Sequence, residues 1–394
     1  MKCKITNQSL APFMSFGKMP IANGFIEKKD FSKEFFFEME VGFNEDLSLF
    51  QLNDHPKPEK MFNENYPFFT GSSEYMKKHF KEYAKFVKKY LNTNSKIIEI
   101  GSNDGTFLKN FESIKGNILG IEPSKSVADV AIKNNIPTLN EFFNTNNVKN
   151  LKKFLGTTDL ICASNVICHI PDLNNLIESV DLLLNKNGTF IFEEPYLGSM
   201  FEKVSYDQIY DEHIFMFSAS SVSKIFNKYG FHLVEAIPQI THGGSMRYIL
   251  KRVSNNNNKN LKKVFEYESK KKLNKIESCL EFKKNCELSK EKIRDKLRLF
   301  KDKGKSICGY AATSKSTTIL NYCNIGNDYI EYICDTTKEK VGKFSPGMHI
   351  PIKDMDYFYK NSRDCIYLFA WNHKEEILNK EKNFKGEWFS HVEL

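Results

Sequence analysis

The sequence predicts an α/β protein, in which a small β-rich N-terminal module precedes two doubly wound, Rossmann-like α/β domains. Three observations lead to this fold class. Strand-like apolar bursts alternate with helical stretches through the middle of the chain, which is typical of parallel βαβ units. The same alternation returns on a smaller scale near the C-terminus. At 394 residues, the chain is long enough for two or three domains.

Short strands and turns are expected over residues 1–62, where prolines and glycines punctuate the pattern. Aromatic residues at helical spacing predict an amphipathic helix over residues 75–92. This helix lies near the start of the central α/β domain, which we expect to span residues 63–250. Its strand-like segments are residues 96–100, 118–121, 160–163, 189–192 and 233–236. An asparagine run then marks a break, and a helical connector (251–305) leads to the C-terminal α/β domain (306–394).

One segment carries the positive charge of the chain. The whole sequence has 57 basic and 49 acidic residues, but residues 251–305 alone hold 19 Lys and Arg against 8 Asp and Glu. Apolar residues such as Leu273, Ile276 and Leu280 recur there at helical spacing. The lysines are therefore expected to be solvated faces of a connector, and no nucleic-acid partner is expected.

Composition also bears on the compartment. Nine cysteines occur without a C-x-x-C pair, which favours reduced thiols in a cytoplasmic protein over a disulfide framework. No apolar run of about 18 residues is present, so no membrane partner is expected. The N-terminal residues lack the features of a secretory signal.

The most informative stretch of the central domain is residues 96–107. Gly101 and Gly105 bracket a tight turn after a buried strand, and a helix is expected from near Thr106. The spacing E-x-G-x-x-x-G is not the dinucleotide fingerprint G-x-G-x-x-G. Instead the stretch resembles the loop of S-adenosylmethionine (SAM) methyltransferases. The candidate cofactor contacts in it are Glu99, Gly101, Asn103, Asp104 and Gly105.

Later strand ends supply further candidate contacts for SAM. Glu122 and Pro123 follow the second strand about 20 residues on, where a carboxylate can accept hydrogen bonds from a ribose diol. Phe143 follows the third strand, where an adenine would pack, and Asn165 follows the fourth. Because ligands of such sheets bind outside the carboxyl ends of the strands, these residues predict one SAM site.

Several motifs resemble, in order and spacing, those of the three-domain sugar C-methyltransferases. These motifs are Asn165-Val-Ile-Cys-His169-Ile-Pro-Asp, Tyr210-Asp-Glu212-His213, Thr241-His-Gly243-Gly244-Ser245-Met-Arg247 and Gly309-Tyr310-Ala-Ala-Thr-Ser-Lys315. The resemblance spans almost the whole chain. It implies SAM-dependent methylation of carbon, expected at C3, in a nucleotide-linked 4-keto-deoxysugar, with S-adenosyl-L-homocysteine as the second product. It also implies a place in branched-sugar biosynthesis for a bacterial surface polysaccharide or natural product.

The family's catalytic residues correspond here to His213, Tyr210, Glu212 and His169. Methyl transfer to carbon needs an enolate, which forms when a base removes the C3 proton beside the ketone. His213 suits that base, because imidazole titrates near 6.5. Tyr210 could donate to the enolate oxygen or orient the sugar. Glu212 could hold the imidazole or bind a hydroxyl, and His169 could orient the sugar.

Six further residues are candidate substrate contacts: Tyr66, Glu194, Gly244, Arg247, Tyr310 and Lys315. The planar guanidinium of Arg247 could meet a diphosphate, although the glycines before it could simply turn a strand corner. Packing or surface roles remain open for Tyr66 and Glu194. For Tyr310 and Lys315, a doubly wound domain does not by itself imply a ligand.

The N-terminal module departs from the family's pattern. The family usually binds zinc there through two C-x-x-C pairs. Here Cys3 is present, but its expected partner is Thr6, and the second pair falls near Asn44 and Leu47. We therefore expect no zinc and no other metal site. Phenylalanines are expected to replace the metal's share of the stability, namely Phe35, Phe36, Phe37 and Phe43.

Two alternative functions stay open from the sequence. An O- or N-methyltransferase acting on a related sugar could use the same scaffold, since His213 could also deprotonate a hydroxyl. A nucleic-acid or regulatory binding protein on an inactive scaffold is favoured only by the basic segment. A monomer or a small homo-oligomer is expected.

Overall fold

The computed structural model describes residues 1–57, 69–111, 114, 117–255 and 257–394. Tyr66 and the expected boundary between residues 62 and 63 lie outside the described residues. Within them, the protein is α/β and contains an antiparallel N-terminal sheet, a mixed central sheet and a parallel C-terminal sheet. The fold class expected from the sequence is confirmed.

The N-terminal sheet is completed by a segment from the middle of the chain. Its strands β1 (Pro12–Pro20), β2 (Phe36–Asn44) and β3 (Leu49–Leu52) pair in that order. Strand β9 (Phe215–Met216) pairs antiparallel with β3 at the edge. The sheet therefore lies beside the Tyr210–His213 motif, which comes immediately before β9.

The four phenylalanines expected to fill this module do not all do so. Phe43 is buried, and Phe37 packs partly buried against the same core. Phe35 and Phe36 are each 42% exposed, so the prediction was wrong for these two. Phe36 starts β2 on the outer face of the sheet, and Phe35 precedes the strand.

The central sheet has the strand order β10-β11-β8-β7-β4-β5-β6. Its strands are β4 (Ile97–Ile100), β5 (Ile118–Ile121), β6 (Thr138–Leu139), β7 (Thr158–Ser164), β8 (Leu184–Pro195), β10 (His232–Gln239) and β11 (Ser245–Lys251). Five strands run parallel, and β11 and β10 extend the sheet antiparallel beyond β8. The carboxyl ends of the parallel strands meet at one edge, which collects the predicted cofactor contacts.

Six helices in the described part of the chain accompany this sheet. They are α1 (Glu74–Val87), α2 (Lys125–Lys133), α3 (Thr145–Leu155), α4 (Leu173–Leu183), α5 (Leu197–Lys203) and α6 (Ala219–Asn227). The amphipathic helix expected over 75–92 is confirmed as α1, whose buried face includes Phe80 and Tyr83. The helix expected from Thr106 was wrong, because the described chain forms only a 3-10 turn there, Leu108–Asn110.

Two connector helices lead to the last domain. They are α7 (Lys259–Lys270) and α8 (Ile276–Asp302). The C-terminal sheet is parallel and has the order β14-β13-β12-β15-β16. Its elements are β12 (Ile307–Tyr310), α9 (Ser314–Tyr322), β13 (Ile333–Cys334), β14 (Ile352–Lys353), α10 (Met355–Lys360), β15 (Cys365–Leu368), α11 (Lys374–Lys380) and β16 (Glu387–Phe389).

The connector helices bury an apolar stripe and expose most of their lysines. Ile293, Leu297 and Phe300 are buried as expected, but Leu280 is 50% exposed. Leu273 is also buried as expected, but one continuous stripe from Leu273 to Leu280 was wrong, because α7 ends before a left-handed Lys272 and α8 starts in a new register. Among the described helices, none has both the length and the apolar character to cross a membrane.

The N-terminal and C-terminal sheets share one apolar core. Phe16 of β1 contacts Tyr322 of α9 with ring centroids 4.8 Å apart. Phe201 of α5 stacks on Phe282 of α8 at 4.4 Å. These contacts join elements from both ends of the chain around the central domain. The motif residues of the three parts can therefore meet at one junction.

Candidate active site

The loop after β4 has the backbone shape that only small residues adopt easily. Gly101 and Gly105 have φ values of 64° and 77°, and Asn103 between them has 49°. A Cβ atom on Gly101 would lie 2.3 Å from Cγ2 of Val166. The loop therefore packs directly against the turn after β7.

Three carboxylates gather at this edge of the sheet. Burial raises the pKa of Glu99 well above its usual value, and the nearby Asp104 and Glu122 add to the effect. Glu122 accepts hydrogen bonds from the backbone N–H groups of Asn103 (3.0 Å) and Ser124 (2.8 Å). Burial raises the pKa of Glu122 too, although these hydrogen bonds oppose the shift. The cluster is suited to a cationic ligand that carries hydroxyl groups.

Other predicted cofactor contacts border the same edge. The backbone of Asn165 has a φ of 55°, and its side-chain Oδ1 is buried without a hydrogen-bond partner among the described residues. Phe143 is buried, and the carbonyl of Pro123 accepts a hydrogen bond from the Asn140 amide at 2.8 Å. One oxygen of Glu99, Oε2, is also buried without a described hydrogen-bond partner. These orphaned acceptors fit SAM, whose amino group and ribose hydroxyls are donors.

Asp104 ties the cofactor loop to the segment before α1. Its Oδ2 accepts the N–H of Gly71 at 2.7 Å, and its Oδ1 accepts the Thr106 hydroxyl at 2.7 Å. The Asn103 side chain likewise accepts the N–H of Thr70 at 2.9 Å. Both side chains therefore hold neighbouring backbone in place.

The Tyr210–His213 pair is the clearest chemical feature of the junction. The Nδ1 atom of His213 lies 2.7 Å from the carbonyl oxygen of Gln208, so this nitrogen carries the proton. The lone pair is then on Nε2, which lies 2.7 Å from the Tyr210 hydroxyl. Burial, and next the nearby His169, hold the pKa of His213 well below its ordinary value. The imidazole is therefore neutral at physiological pH and basic at Nε2.

His169 stacks on His213 with ring centroids 5.3 Å apart. It ends a 3-10 turn, Ile167–His169, whose first N–H groups are held by Glu194. The Glu194 carboxylate accepts from Val166 at 3.0 Å and from Ile167 at 2.6 Å. Burial lowers the pKa of His169 to about 3. The structure thus gives Glu194 a part in shaping this turn.

Glu212 lies where the three parts of the chain meet. Its Oε1 accepts a hydrogen bond from the Asn23 amide at 2.6 Å. The side-chain oxygen Oδ1 of Asn23 in turn accepts a hydrogen bond from the Ser314 hydroxyl at 3.2 Å. Next to this contact, Asp211 accepts the N–H of Ala22 at 2.8 Å. The Tyr210-Asp-Glu212-His213 motif is therefore braced by both outer modules.

Arg247 is not placed to meet a diphosphate. Its guanidinium binds the buried Glu193 carboxylate at 2.5 Å and lies over the rings of Tyr83 and Phe86. His79 lies 2.6 Å from the other oxygen of Glu193. Burial would raise the pKa of Glu193, but His79 and Arg247 outweigh that effect and lower it. The guanidinium is therefore occupied by a buried ion pair.

The two candidates in the C-terminal domain point to different places. The Tyr310 hydroxyl donates to Glu381 at 2.8 Å on the far face of the sheet, among Phe358 and Trp388. The Lys315 ammonium lies 3.4 Å from the backbone carbonyl oxygen of His242 in the central domain. Lys315 therefore faces the junction between the two domains. Tyr310 is thus set apart from the junction, because strand residues alternate between the faces of a sheet.

The Thr241–Gly243 turn brings together residues that sequence reasoning missed. His242 has a φ of 53°, and its Nε2 is buried without a described hydrogen-bond partner. A Cβ on Gly243 would lie 2.1 Å from the Trp371 ring, and Gly244 packs as closely on Ser199. His242 stands between Thr241 and Gly243 in one of the motifs quoted above, and that was its only signal in the sequence.

One group of side chains in the described part of the chain has donor atoms close enough to hold a metal ion. It consists of Cys168, His169 and His213, whose donor atoms lie within 4.8 Å of one another. Both nitrogens of His213 already face hydrogen-bond partners. In the N-terminal module, Asn44 Oδ1 accepts the N–H of Leu47 at 2.9 Å.

Models of three protein families match successive parts of the chain. A putative zinc binding domain matches residues 3–62, a methyltransferase domain matches residues 74–236, and a C-methyltransferase C-terminal domain matches residues 240–392. Among curated proteins, the chain is similar to C-methyltransferase NovU of Streptomyces niveus. The two are 26% identical over 376 residues, which cover 94% of this chain and 89% of that one.

Two solved methyltransferase structures each resemble less than half of the chain. A SAM-dependent methyltransferase from Anabaena variabilis is 17% identical, with a TM-score of 0.36, over 43% of this chain and 84% of its own. The magnesium protoporphyrin IX methyltransferase of Synechocystis with bound SAM is 13% identical, with a TM-score of 0.33, over 45% of this chain and 79% of its own.

Proposed function

The chain belongs to the C-methyltransferase family as a SAM-dependent C-methyltransferase, and we propose that it methylates C3 of a nucleotide-linked 4-keto-deoxysugar through an enolate. The observation that carries this proposal is the Tyr210–His213 pair, a neutral imidazole with its lone pair on Nε2. Methyl transfer to carbon needs a base positioned by the protein to remove the C3 proton. The electrophilic methyl group is supplied by SAM itself. The 26% identical relative named a C-methyltransferase supports the same reaction class.

His213 is proposed to remove the C3 proton. The C3–H bond breaks, its electron pair forms the C3–C4 double bond, and the carbonyl electrons move to oxygen. The proton goes to Nε2 of His213, while the Gln208 carbonyl continues to accept from Nδ1 and so stabilises the imidazolium. The Tyr210 hydroxyl, 2.7 Å from Nε2, either moves to the enolate oxygen or passes the proton along.

SAM supplies an electrophilic methyl group on a sulfonium, which the enolate carbon can attack. The residues proposed to hold it are those at the edge of the central sheet. Glu122 would accept hydrogen bonds from the ribose diol, and Glu99 with Asn165 would accept from the amino group through their orphaned oxygens. The left-handed Gly101 lets the backbone approach the ligand closely.

The sugar nucleotide is proposed to bind between the central and C-terminal domains. Lys315 is the predicted contact that faces this junction, and it lies near Trp371, with its ammonium 5.0 Å from the ring centroid. Its positive charge suits a diphosphate. Glu212, Glu194 and His169 remain proposed site residues around the sugar. The product belongs, on this proposal, to a branched-sugar pathway for a surface polysaccharide or natural product.

The N-terminal module is proposed to fold without zinc. Cys3 and Leu47 are buried together in the core that the module shares with the central domain. The Asn44 side chain accepts the Leu47 N–H at the position where the family has a thiolate. Metal analysis of the purified protein should give much less than one zinc per chain; one zinc per chain would defeat this proposal, and a His169→Gln variant would then tell whether the Cys168 cluster holds it.

The remaining proposals concern the cell. All nine cysteines are unpaired and buried, which supports a reducing, cytoplasmic compartment. A monomer or small homo-oligomer is proposed, with neither nucleic acid nor membrane as partner.

Replacement of His213 tests the base directly. The protein should exchange the C3 proton of dTDP- and GDP-linked 4-keto-6-deoxyhexoses with deuterium from solvent, and the His213→Asn variant should lose this exchange by at least about 100-fold. Its SAM dissociation constant should stay unchanged, because His213 does not hold the cofactor. His232→Asn, a partly exposed histidine of β10, is the matched control. Undiminished C3 exchange in the His213→Asn variant would remove the base assignment.

A further inference from the structure

The turn that holds His213 is itself held by the C-terminal domain. The carbonyl of Gln208, which accepts from His213 Nδ1, belongs to a 3-10 turn, Tyr206–Gln208. The carbonyl of the next residue, Ile209, accepts the Thr318 hydroxyl of α9 at 2.8 Å. The Tyr206 hydroxyl lies 3.4 Å from the Cys323 sulfur just after the same helix. The position of the base therefore depends on contacts made more than 100 residues away in the chain.

Asp207 is the charged centre of this turn. It is fully buried, and its Oδ2 accepts the indole N–H of Trp371 at 2.7 Å. Its Oδ1 lies 3.3 Å from Nε2 of His391, only three residues from the end of the chain. Burial would raise the pKa of Asp207, but His391, and then Lys315 and Trp371, outweigh burial and lower it. A buried carboxylate held ionised in this way fixes the geometry around it.

The Asp207 side chain does not contact the imidazole of His213 directly. Its side chain faces Trp371 and His391, whereas the carbonyl of the following residue faces the imidazole. Asp207 and Gln208 are adjacent in one 3-10 turn, so the contacts that hold the Asp207 side chain also restrain the backbone that carries the Gln208 carbonyl. A misplacement of about 1 Å can lower a reaction rate roughly 100-fold. A small displacement of the Gln208 carbonyl would therefore be enough to slow proton removal by His213.

We propose that Asp207 is a positioning residue, which the C-terminal residues Trp371 and His391 hold so that the Gln208 carbonyl keeps His213 in its basic Nε2 form. The inference rests on the proposed function, because the base is that of the proposed reaction. It adds that the last residues of the C-terminal domain control the catalytic imidazole of the central domain. The imidazole of His391 lies 5.1 Å from the Tyr206 ring, so the whole turn is covered from this side.

Two readouts separate positioning from simple stability. The first is the rate of C3 proton exchange with a dTDP-linked 4-keto-6-deoxyhexose, divided into kcat and KM. The second is the downfield proton signal of His213 Nδ1–H in protein labelled with ¹⁵N-histidine, assigned by its loss in His213→Asn. The variants are Asp207→Asn, His391→Ala and His391→Gln, and His349→Gln at the partly exposed His349 of the same domain is the control.

We expect Asp207→Asn and His391→Ala to lower kcat for exchange by about 10–100-fold, with KM and the SAM dissociation constant changed less than about twofold. The Nδ1–H signal should shift or broaden in both variants. His391→Gln keeps an N–H group near the Asp207 carboxylate but not the charge of a protonated imidazole, so it should restore part of the rate and of the signal that His391→Ala loses. Thermal unfolding measured in parallel gives the folded fraction, by which each rate is divided.

Two results would overturn the proposal. One is a wild-type kcat per folded molecule in both Asp207→Asn and His391→Ala, which would make the contact structural only. The other is an unchanged Nδ1–H signal despite a lost rate. Failure of the proposed function gives a different result, because the wild-type protein itself would then show no C3 exchange. The Nδ1–H signal of His213 would in that case still show whether the Asp207 and His391 variants change the environment of the imidazole.

Discussion

At the scale of single residues, the proposed chemistry depends on the tautomer of His213. The Gln208 carbonyl holds the proton on Nδ1, and burial together with His169 keeps the ring neutral. A histidine chosen from the sequence by its ordinary pKa would titrate within the physiological range. In the structure, burial and the nearby His169 hold the pKa of His213 well below its ordinary value, because the charged form of the ring is poorly solvated there.

The pH profile should report this shift. A base is active when unprotonated, so activity is lost as the pH falls through its pKa. Because the pKa of His213 is lowered, the acid limb of kcat/KM should lie below pH 6.5. The measurement is the C3 exchange rate between pH 5 and 8, with fluorescence confirming that the protein stays folded. An acid limb above pH 6.5 would contradict the assigned environment of His213.

Glu122 should control affinity for the cofactor and not the chemistry. Its carboxylate is buried and oriented by two backbone N–H groups, so it is ready to accept from a ribose diol. Glu122→Ala should weaken SAM binding by about 10–100-fold, which corresponds to the loss of a hydrogen bond with a charged group, about 1.5–3 kcal/mol. Calorimetry on this variant and on the control Glu141→Ala, an exposed residue, measures it. Equal dissociation constants would show that the ribose contact is misplaced.

At the scale of elements, the segment Pro20–Asn23 joins the three parts of the chain. Ala22 donates its N–H to Asp211 and accepts from the Thr317 hydroxyl, both at 2.8 Å. Asn23 bridges Glu212 and Ser314. This segment is therefore a physical junction, although nothing in its composition indicates which residues it binds.

Asn23→Ala should loosen that junction. Glu212 would lose an amide donor at 2.6 Å, so the free energy of unfolding should fall by about 1–3 kcal/mol. Turnover should fall as well, since Glu212 adjoins His213. Urea unfolding and C3 exchange measure the two effects, with Asn187→Ala at an exposed position as the control. Unchanged stability and turnover would show that the Asn23 bridge contributes neither to the free energy of unfolding nor to the reaction rate.

At the scale of the whole molecule, the sequence predicted what depends on local pattern. The three sheets, α1 and the glycine turn follow from periodicity and residue type. The sequence could not predict that Arg247 binds Glu193 or that Tyr310 binds Glu381, because each glutamate lies far from its partner along the chain. Nor could it indicate His242 or Asp207, whose significance lies in burial and in contacts between domains.

Two of the buried groups should contribute to the pH dependence of stability in opposite directions. Burial lowers the pKa of His242 to about 3 and raises the pKa of Glu194 to about 7. Protonation of the unfolded histidine lowers stability as the pH falls from 6.5 toward 3, whereas the buried glutamic acid loses its stabilising effect as the pH rises from 4.5 toward 7. The two contributions therefore partly cancel in the wild-type protein.

Single variants should expose each contribution. His242→Gln should make the free energy of unfolding rise less steeply with pH between 5 and 6.5, and Glu194→Gln should make it rise more steeply, each by up to about 1.4 kcal/mol per pH unit. Urea unfolding at several pH values in this range gives the slopes. Identical slopes for both variants and the wild-type protein would refute this assignment of the buried charges.

The most direct test of the central claim is the structure of the reaction product. The protein is incubated with SAM and a panel of dTDP- and GDP-linked 4-keto sugars, and the product is examined by mass spectrometry and carbon NMR. C-methylation at C3 predicts a mass gain of one methylene, a new carbon-bound methyl signal and loss of the C3 proton. A methyl signal on oxygen or nitrogen, with the C3 proton retained, would contradict the proposal and favour the O- or N-methyltransferase alternative.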